Sequence, residues 1–221
     1  MGAFCGVTHI ETLNCSDCLI FLNEDDKEMT QEKMEYSFLS DVLSLDGKKL
    51  KEMAFSAIKS KMLGMNYMPR IDDNRLRERA GIFISLKVYG EHFSRAGSVF
   101  PSKPIWVSVI EYAIEAAFHS SLHHPITRDE LSAMEIEIYV IGQLQNINPL
   151  DFGKAITHRS DKEGFLITSY NGSVVALPNF EENFRQDPQE YLNDLLENGG
   201  LTMEDITNST VKIHRFMAAI F

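Results

Sequence analysis

The sequence predicts an α+β protein with mixed, largely antiparallel sheets and flanking helices, and three observations carry that prediction. Helical and strand periodicities follow one another irregularly rather than in a repeating βαβ order, which disfavours a wound parallel sheet. Within 135–141, Ile136, Ile138 and Val140 alternate with Glu135, Glu137 and Tyr139, the pattern of a strand with one buried and one wet face. Asn171-Gly172 stands between two β-rich runs and is a strong short hairpin signal.

The elements follow in order. Residues 1–35 read as an N-terminal extension ending in an acidic run, and 36–221 as the domain proper. In 48–62, Leu50, Met53, Ala54, Ala57, Ile58 and Met62 recur at helical spacing with lysines opposite. Asp46 is placed to cap this helix and Gly64 to end it. The segment 65–79, with Pro69 and mixed charges, reads as a loop. Ile82, Ile84, Leu86 and Val88 share one face of a strand, and Tyr89-Gly90-Glu91 turns the chain into a second. Pro104 suits the first position of a helix reaching about Phe118. Its two adjoining stripes, Ile105, Val109, Ala113, Ala117 and Trp106, Ile110, Ile114, predict broad burial. Thr127 and Glu130 have capping-box spacing for a short helix before the strand at 135–141. Strands at 165–170 and 173–177 flank the hairpin signal. Asp187, Pro188 and Glu190 combine an N-cap, a first-turn proline and a box glutamate. That helix runs through Leu192, Leu195 and Leu196 to Gly199-Gly200, and 211–216 closes the chain as a strand.

A chain of 221 residues with 44% hydrophobic and 24% charged content can bury a sizeable core without staples. The formal net charge of −11 repels phosphate backbones, so neither duplex nucleic acid nor an anionic membrane is an expected partner. That charge is a global sum and leaves room for a local basic patch. No run is long and apolar enough to span a bilayer, and the first lysine is Lys27, so no basic signal-peptide start is visible. The expected location is the cytoplasm. Three cysteines, an odd number, argue against a disulfide framework. Cys5, His9, Cys15 and Cys18 formally offer four zinc donors, but a single CxxC with irregular partners favours ordinary thiols. We expect no metal and no cofactor.

Ser94, Arg95 and Gly97 form the first candidate ligand site. A glycine-containing turn would let a ligand approach the backbone, and Arg95 would hold a carboxylate or phosphate through its guanidinium fork. Against this stands the commonness of exposed loop arginines. His119 and His123 would share a helix face only if the helix continued past Phe118, which Pro125 and the nearby serines disfavour. His158, beside Arg159 in a polar loop, is a candidate ligand-binding or general-base group without a visible partner. P-loop, Rossmann, nucleophile-elbow and zincin motifs are lacking.

Several stretches, in order, resemble the AMMECR-like family. They are Gly81-Ile-Phe-Ile-Ser-Leu-Lys87, the helix at 104–118 with Glu111 and Ala116-Ala117-Phe118, and the segment from Pro125-Ile-Thr127 to Glu137. Glu163-Gly-Phe-Leu-Ile167, Leu177-Pro178 and Val211-Lys-Ile-His-Arg-Phe216 complete the set. The resemblance runs from about residue 34 to residue 221 and implies an α+β fold of two related β-rich units packed together. It also implies an association with a radical enzyme and a metalloprotein-like partner. The family's Leu-Arg-Gly-Cys-Ile-Gly segment corresponds here to His92-Phe-Ser-Arg-Ala-Gly97, where only Gly97 matches. The family's arginine falls on Phe93 and its cysteine on Arg95, and a guanidinium is no nucleophile. A second segment, Asp-Pro-Arg-Phe, corresponds to Ser120-Ser-Leu-His123. These departures favour a non-catalytic protein that binds a protein partner or a small anionic ligand. The alternative is a divergent enzyme on a small anionic or nucleotide-like substrate, which requires Arg95 and one of His92, His119 or His158 to converge.

Overall fold

Seven strands and six α-helices are laid out in the computed structural model, which describes residues 44–120, 123–170, 172–178, 188–207 and 211–221. The N-terminal extension with Cys5, His9, Cys15 and Cys18 lies outside the described residues, as do Asn171, Asp187 and 208–210. Helix α1 is Gly47–Met62, followed by a 3-10 turn at Asn74–Arg77 inside the stretch expected to be loop. Strands β1 (Gly81–Val88) and β2 (Glu91–Ser98) precede α2 (Ile105–Phe118), α3 (Arg128–Ser132) and β3 (Met134–Ile141). Then come β4 (Gln145–Ile147), a second 3-10 turn at Pro149–Asp151, α4 (Phe152–Thr157), β5 (Glu163–Thr168) and β6 (Ser173–Ala176). Helices α5 (Pro188–Asn198) and α6 (Met203–Thr207) lead to β7 (Lys212–Ile220).

All strand pairs are antiparallel, in the order β2-β1-β3-β7-β5-β6, with β4 also paired to β7. The α+β class is therefore the fold of this chain. Strand β7 joins two groups of strands. Its last residues pair with Tyr139–Ile141 of β3, and its first six pair with β5. Alternation along β7 sends Ile213 and Ala219 to one side, and Phe216 and Ala218 to the other. On the first side lie two cores. One, under α1 and α2, holds Ile82, Ile84, Leu86, Ile138 and Val140; the other, under α4, α5 and α6, holds Phe165, Ile167, Leu192 and Leu196. A third core on the opposite side draws Tyr139 and Ile141 from one strand group and Leu166 and Leu177 from the other.

Local chemistry explains most boundaries. The Asp46 carboxylate accepts from the backbone N–H groups of Lys48 and Lys49, and Gly64 takes a positive φ of 70° just past α1. Thr127 and Glu130 cap one another reciprocally at α3. Tyr89 and Gly90 both have positive φ, which a two-residue hairpin turn with the native strand twist requires.

Four expectations need correction. Pro104 is the residue before α2 rather than its first: it bridges to Arg79, and Ile105 donates to the carbonyl of Glu78, so it is held extended. Strand β5 stops at Thr168, because Ser169 donates to the carbonyl of Gly172 and the chain leaves the ladder early. Strand β7 continues four residues past Phe216, since its end pairs with β3. The face of β3 expected to be wet is wet only at Glu135 and Glu137; Tyr139 and Ile141 on it are buried by the third core.

Candidate functional site

The segment 92–97 lies in strand β2, not in a turn, and a β-bulge sets its geometry. Leu86 pairs with Ser94 and Lys87 with His92, leaving Phe93 as the extra residue. Two successive side chains, Phe93 and Ser94, are thereby both buried. Phe93 enters the core under α1 and α2, and the Ser94 hydroxyl donates to the Ala116 carbonyl of α2 at 2.6 Å. Ser94 thus ties β2 to the end of α2. Gly97 has a structural use as well: a Cβ there would stand 2.3 Å from the Ile82 carbonyl oxygen and 2.6 Å from the Phe83 ring.

Beyond the bulge, alternation places His92, Arg95 and Gly97 on the sheet face turned away from α1 and α2. In register across the strands, Arg95 stands opposite Ser85, and Ser85 opposite Glu137. Arg95 and Glu137 are therefore about 10 Å apart, two strand spacings. Ser85 is buried and Arg95 exposed. The Lys87 ammonium reaches Glu137 at 2.7 Å, and the Tyr139 hydroxyl donates to the same carboxylate at 3.1 Å. Burial pushes the Glu137 carboxyl upward, but the Lys87 and Tyr139 hydrogen bonds and the charges of Lys87 and Lys51 outweigh it, so its pKa lies below the ordinary 4.5. Among the described residues Arg95 makes no ion pair, and on this face Lys87 and Arg95 stand against Glu135 and Glu137.

The other candidates lie elsewhere. His119 is the exposed residue after α2, where the helix ends as expected. His158 follows α4, with Nδ1 3.0 Å from the Lys154 carbonyl oxygen, and it leads into β5, which three strands separate from β2. Of the histidines weighed with Arg95, the structure brings only His92 to its face.

A second cluster adjoins β2. The His123 ring stacks on Phe93 with centroids 5.1 Å apart, and His124 meets the same ring edge-on at 5.7 Å. His124 also reaches Glu130 at 3.0 Å. Glu130 is held below the ordinary carboxylate range first by the Thr127 backbone N–H, then by the Thr127 hydroxyl and His124. Among the described residues no group of three or more His, Cys, Asp or Glu side chains is placed to hold a metal ion. Nor, among them, is any helix long and apolar enough to cross a membrane.

Sequence reasoning missed Ser85, Lys87 and Glu137 as neighbours of Arg95. The available signal was a lysine inside the apolar run of β1 and the glutamates at 135 and 137 on the presumed wet face of β3.

Comparison with known proteins agrees along most of the chain. The model of the family described as AMMECR1 matches residues 51–221. A protein of Thermoplasma acidophilum is 30% identical over 185 residues, covering 81% of this chain and 88% of its own. One from Methanothermobacter thermautotrophicus is 26% identical over 181 residues, 80% of this chain and 93% of its own. Among solved structures, an uncharacterized protein from Pyrococcus horikoshii superposes with a TM-score of 0.70 at 22% identity, over 79% of this chain and 89% of that one. That last likeness bears on fold alone.

Proposed function

The chain belongs to the AMMECR1 family, and from that premise we propose that it is a non-catalytic binding or partner protein of the cytoplasm, with an altered family motif. The observation that carries this reading is the state of Glu137. Its carboxylate is taken up by the Lys87 ammonium at 2.7 Å and the Tyr139 hydroxyl at 3.1 Å, which commits it to a structural pair rather than to proton transfer. The commitment of Ser94 to Ala116, and the separation of His158 from Arg95, support the same reading. The Arg95 guanidinium, which makes no ion pair among the described residues, suits an anionic group on a protein partner or on a small ligand. The net charge of −11 weighs against duplex nucleic acid.

A second reading, a divergent enzyme on a small anionic or nucleotide-like substrate, draws on His92 and Arg95 sharing one face of β2. A thermal-shift screen against nucleotides, phosphorylated metabolites, carboxylates and divalent metals separates the two. A ligand at a hundred times its dissociation constant adds about 2.7 kcal/mol. The binding-protein reading expects no small molecule to be consumed, and any anion-induced shift to be lost in Arg95→Ala. Turnover of a shifting compound, abolished in Arg95→Ala or His92→Ala, would overturn it.

A further inference from the structure

Strand β3 is paired along its whole length to β1 on one edge, but on the other edge β7 reaches only Tyr139–Ile141. Just beyond, Ile138 and Phe221 exchange both backbone hydrogen bonds, at 3.1 and 3.0 Å. From Met134 to Glu137 no strand lies on that edge among the described residues. In an antiparallel ladder alternate residues turn their N–H and C=O the same way, so Ile136 and Met134 offer theirs on the edge that Ile138 uses.

A cavity of about 490 Å3 runs along this edge. Its lining includes four consecutive residues, Met134–Glu137, with Lys51, Glu52 and Phe55 of α1 opposite. A pocket on a sheet face would meet only alternate side chains, so four in a row means that the cavity follows the strand's edge. The edge from Met134 to Glu137 is about 10 Å long at the usual rise.

We propose that this edge takes up an extended segment of a partner protein as an added strand in line with β7, and that the segment alternates apolar and basic residues. The proposal deepens the binding-protein reading and rests on it. Every second side chain of such a strand falls on the α1 side, where Met134 is half-buried and Phe55 is 36% exposed, an apolar wall. The side chains between fall beside Glu135 and Glu137. Of the three carboxylates in the lining, Glu52 and Glu137 are already paired with Lys48 and Lys87, whereas Glu135 makes no ion pair among the described residues, so a basic residue is complementary at Glu135. A second copy of this chain fits poorly: antiparallel pairing of two such edges would set Glu135 and Glu137 against their own counterparts, and like charges directly opposite destabilise a ladder. Backbone bonds from the edge would give affinity and the alternate side chains selectivity.

The test uses the full chain and a short labelled peptide alternating valine and lysine. Its controls are the same peptide with glutamate for lysine, and one N-methylated at alternate backbone amides. Anisotropy is expected to show the lysine peptide binding at least about tenfold tighter than either control. Glu135→Lys, an exposed substitution, is expected to reverse the charge preference. Hydrogen exchange at the Met134 and Ile136 amides is expected to slow on peptide addition, while that of Ile138 stays as it was. Equal binding of the N-methylated peptide, or unchanged exchange at Met134 and Ile136, would overturn the proposal. So would edge amides already protected in a concentration-dependent way, which would mean that a second copy sits there. Failure here together with no turnover in the small-molecule screen sinks this surface alone; turnover in that screen sinks the binding-protein reading itself.

Discussion

By its resemblance to the family pattern Phe93 falls where that pattern has an arginine, and the residues around it suit an aromatic ring. The extra residue of the bulge turns its ring inward, and His123, which falls in the other altered segment, stacks on it. The two departures are thus in contact, and an apolar ring replaces a charge that this nearly buried position would leave costly to accommodate. Arg95, two residues on, carries the positive charge on the opposite face. Glu137 is the residue whose ionisation tests that face. Its folded pKa is depressed, so its contribution to stability is present above the unfolded value and is lost as pH falls through the folded one, below 4.5. With side chains about one-third exposed, the Lys87–Glu137 pair is worth only about 0.5–1 kcal/mol at neutral pH. Glu137→Gln is therefore expected to lower stability by about that amount near pH 7. The gap between the two proteins should close in acid, read by urea unfolding at a series of pH values. A gap independent of pH would mean that the pair contributes through packing rather than charge.

The hairpin between β1 and β2 shows how an element tolerates an imperfect residue. Tyr89 sits at φ 55° in the turn, and its side chain is 71% exposed, so it has little packing to compensate for the left-handed backbone. Asn adopts that region far more readily, and Tyr89→Asn is expected to raise stability by about 0.5–1 kcal/mol. A thermal midpoint unchanged or lowered would show that the tyrosine ring contributes contacts beyond its own turn. Elements of this kind were legible because their signals are local: the Asp46 cap, the Thr127–Glu130 box, and the alternation of Ile82 to Val88 all precede folding. Helices α4 and α6 were not. Each has only one or two buried apolar side chains, Phe152 and Ile156 in one and Ile206 in the other, too few to define a period. Strand β4 has three residues and exists because β7 offers it an edge. The site was legible only as far as Arg95. The bulge shifts the phase of β2 by one residue, so no alternation read from the sequence could place Phe93 and Ser94 on the same side, or pair Arg95 with Ser85.

Strand β7 decides whether the two strand groups behave as one. It supplies Ile213 to the core under α4, α5 and α6, Phe216 and Ala218 to the core on the other side, and Ala219 to the core under α1 and α2. Its pairing partners change along its length from β5 and β4 to β3, and the Ala218 N–H, on the edge away from β3, carries the β5 ladder one step further by donating to the Lys162 carbonyl at 2.8 Å. No opening of one group can expose its core without also breaking β7, whose remaining bonds belong to the other group. Local unfolding free energies should therefore converge toward a single global value in both. Ile213→Val tests this gently, because it trims one methylene from a fully buried side chain at a cost of about 1 kcal/mol without threatening the fold. Native-state hydrogen exchange at Ile84 in β1 and at Ile167 in β5 should then accelerate by the same factor, about fivefold, although Ile84 lies in a core that Ile213 does not enter. Acceleration confined to Ile167 would show that the groups open separately and that β7 frays at its passage from β5 to β3.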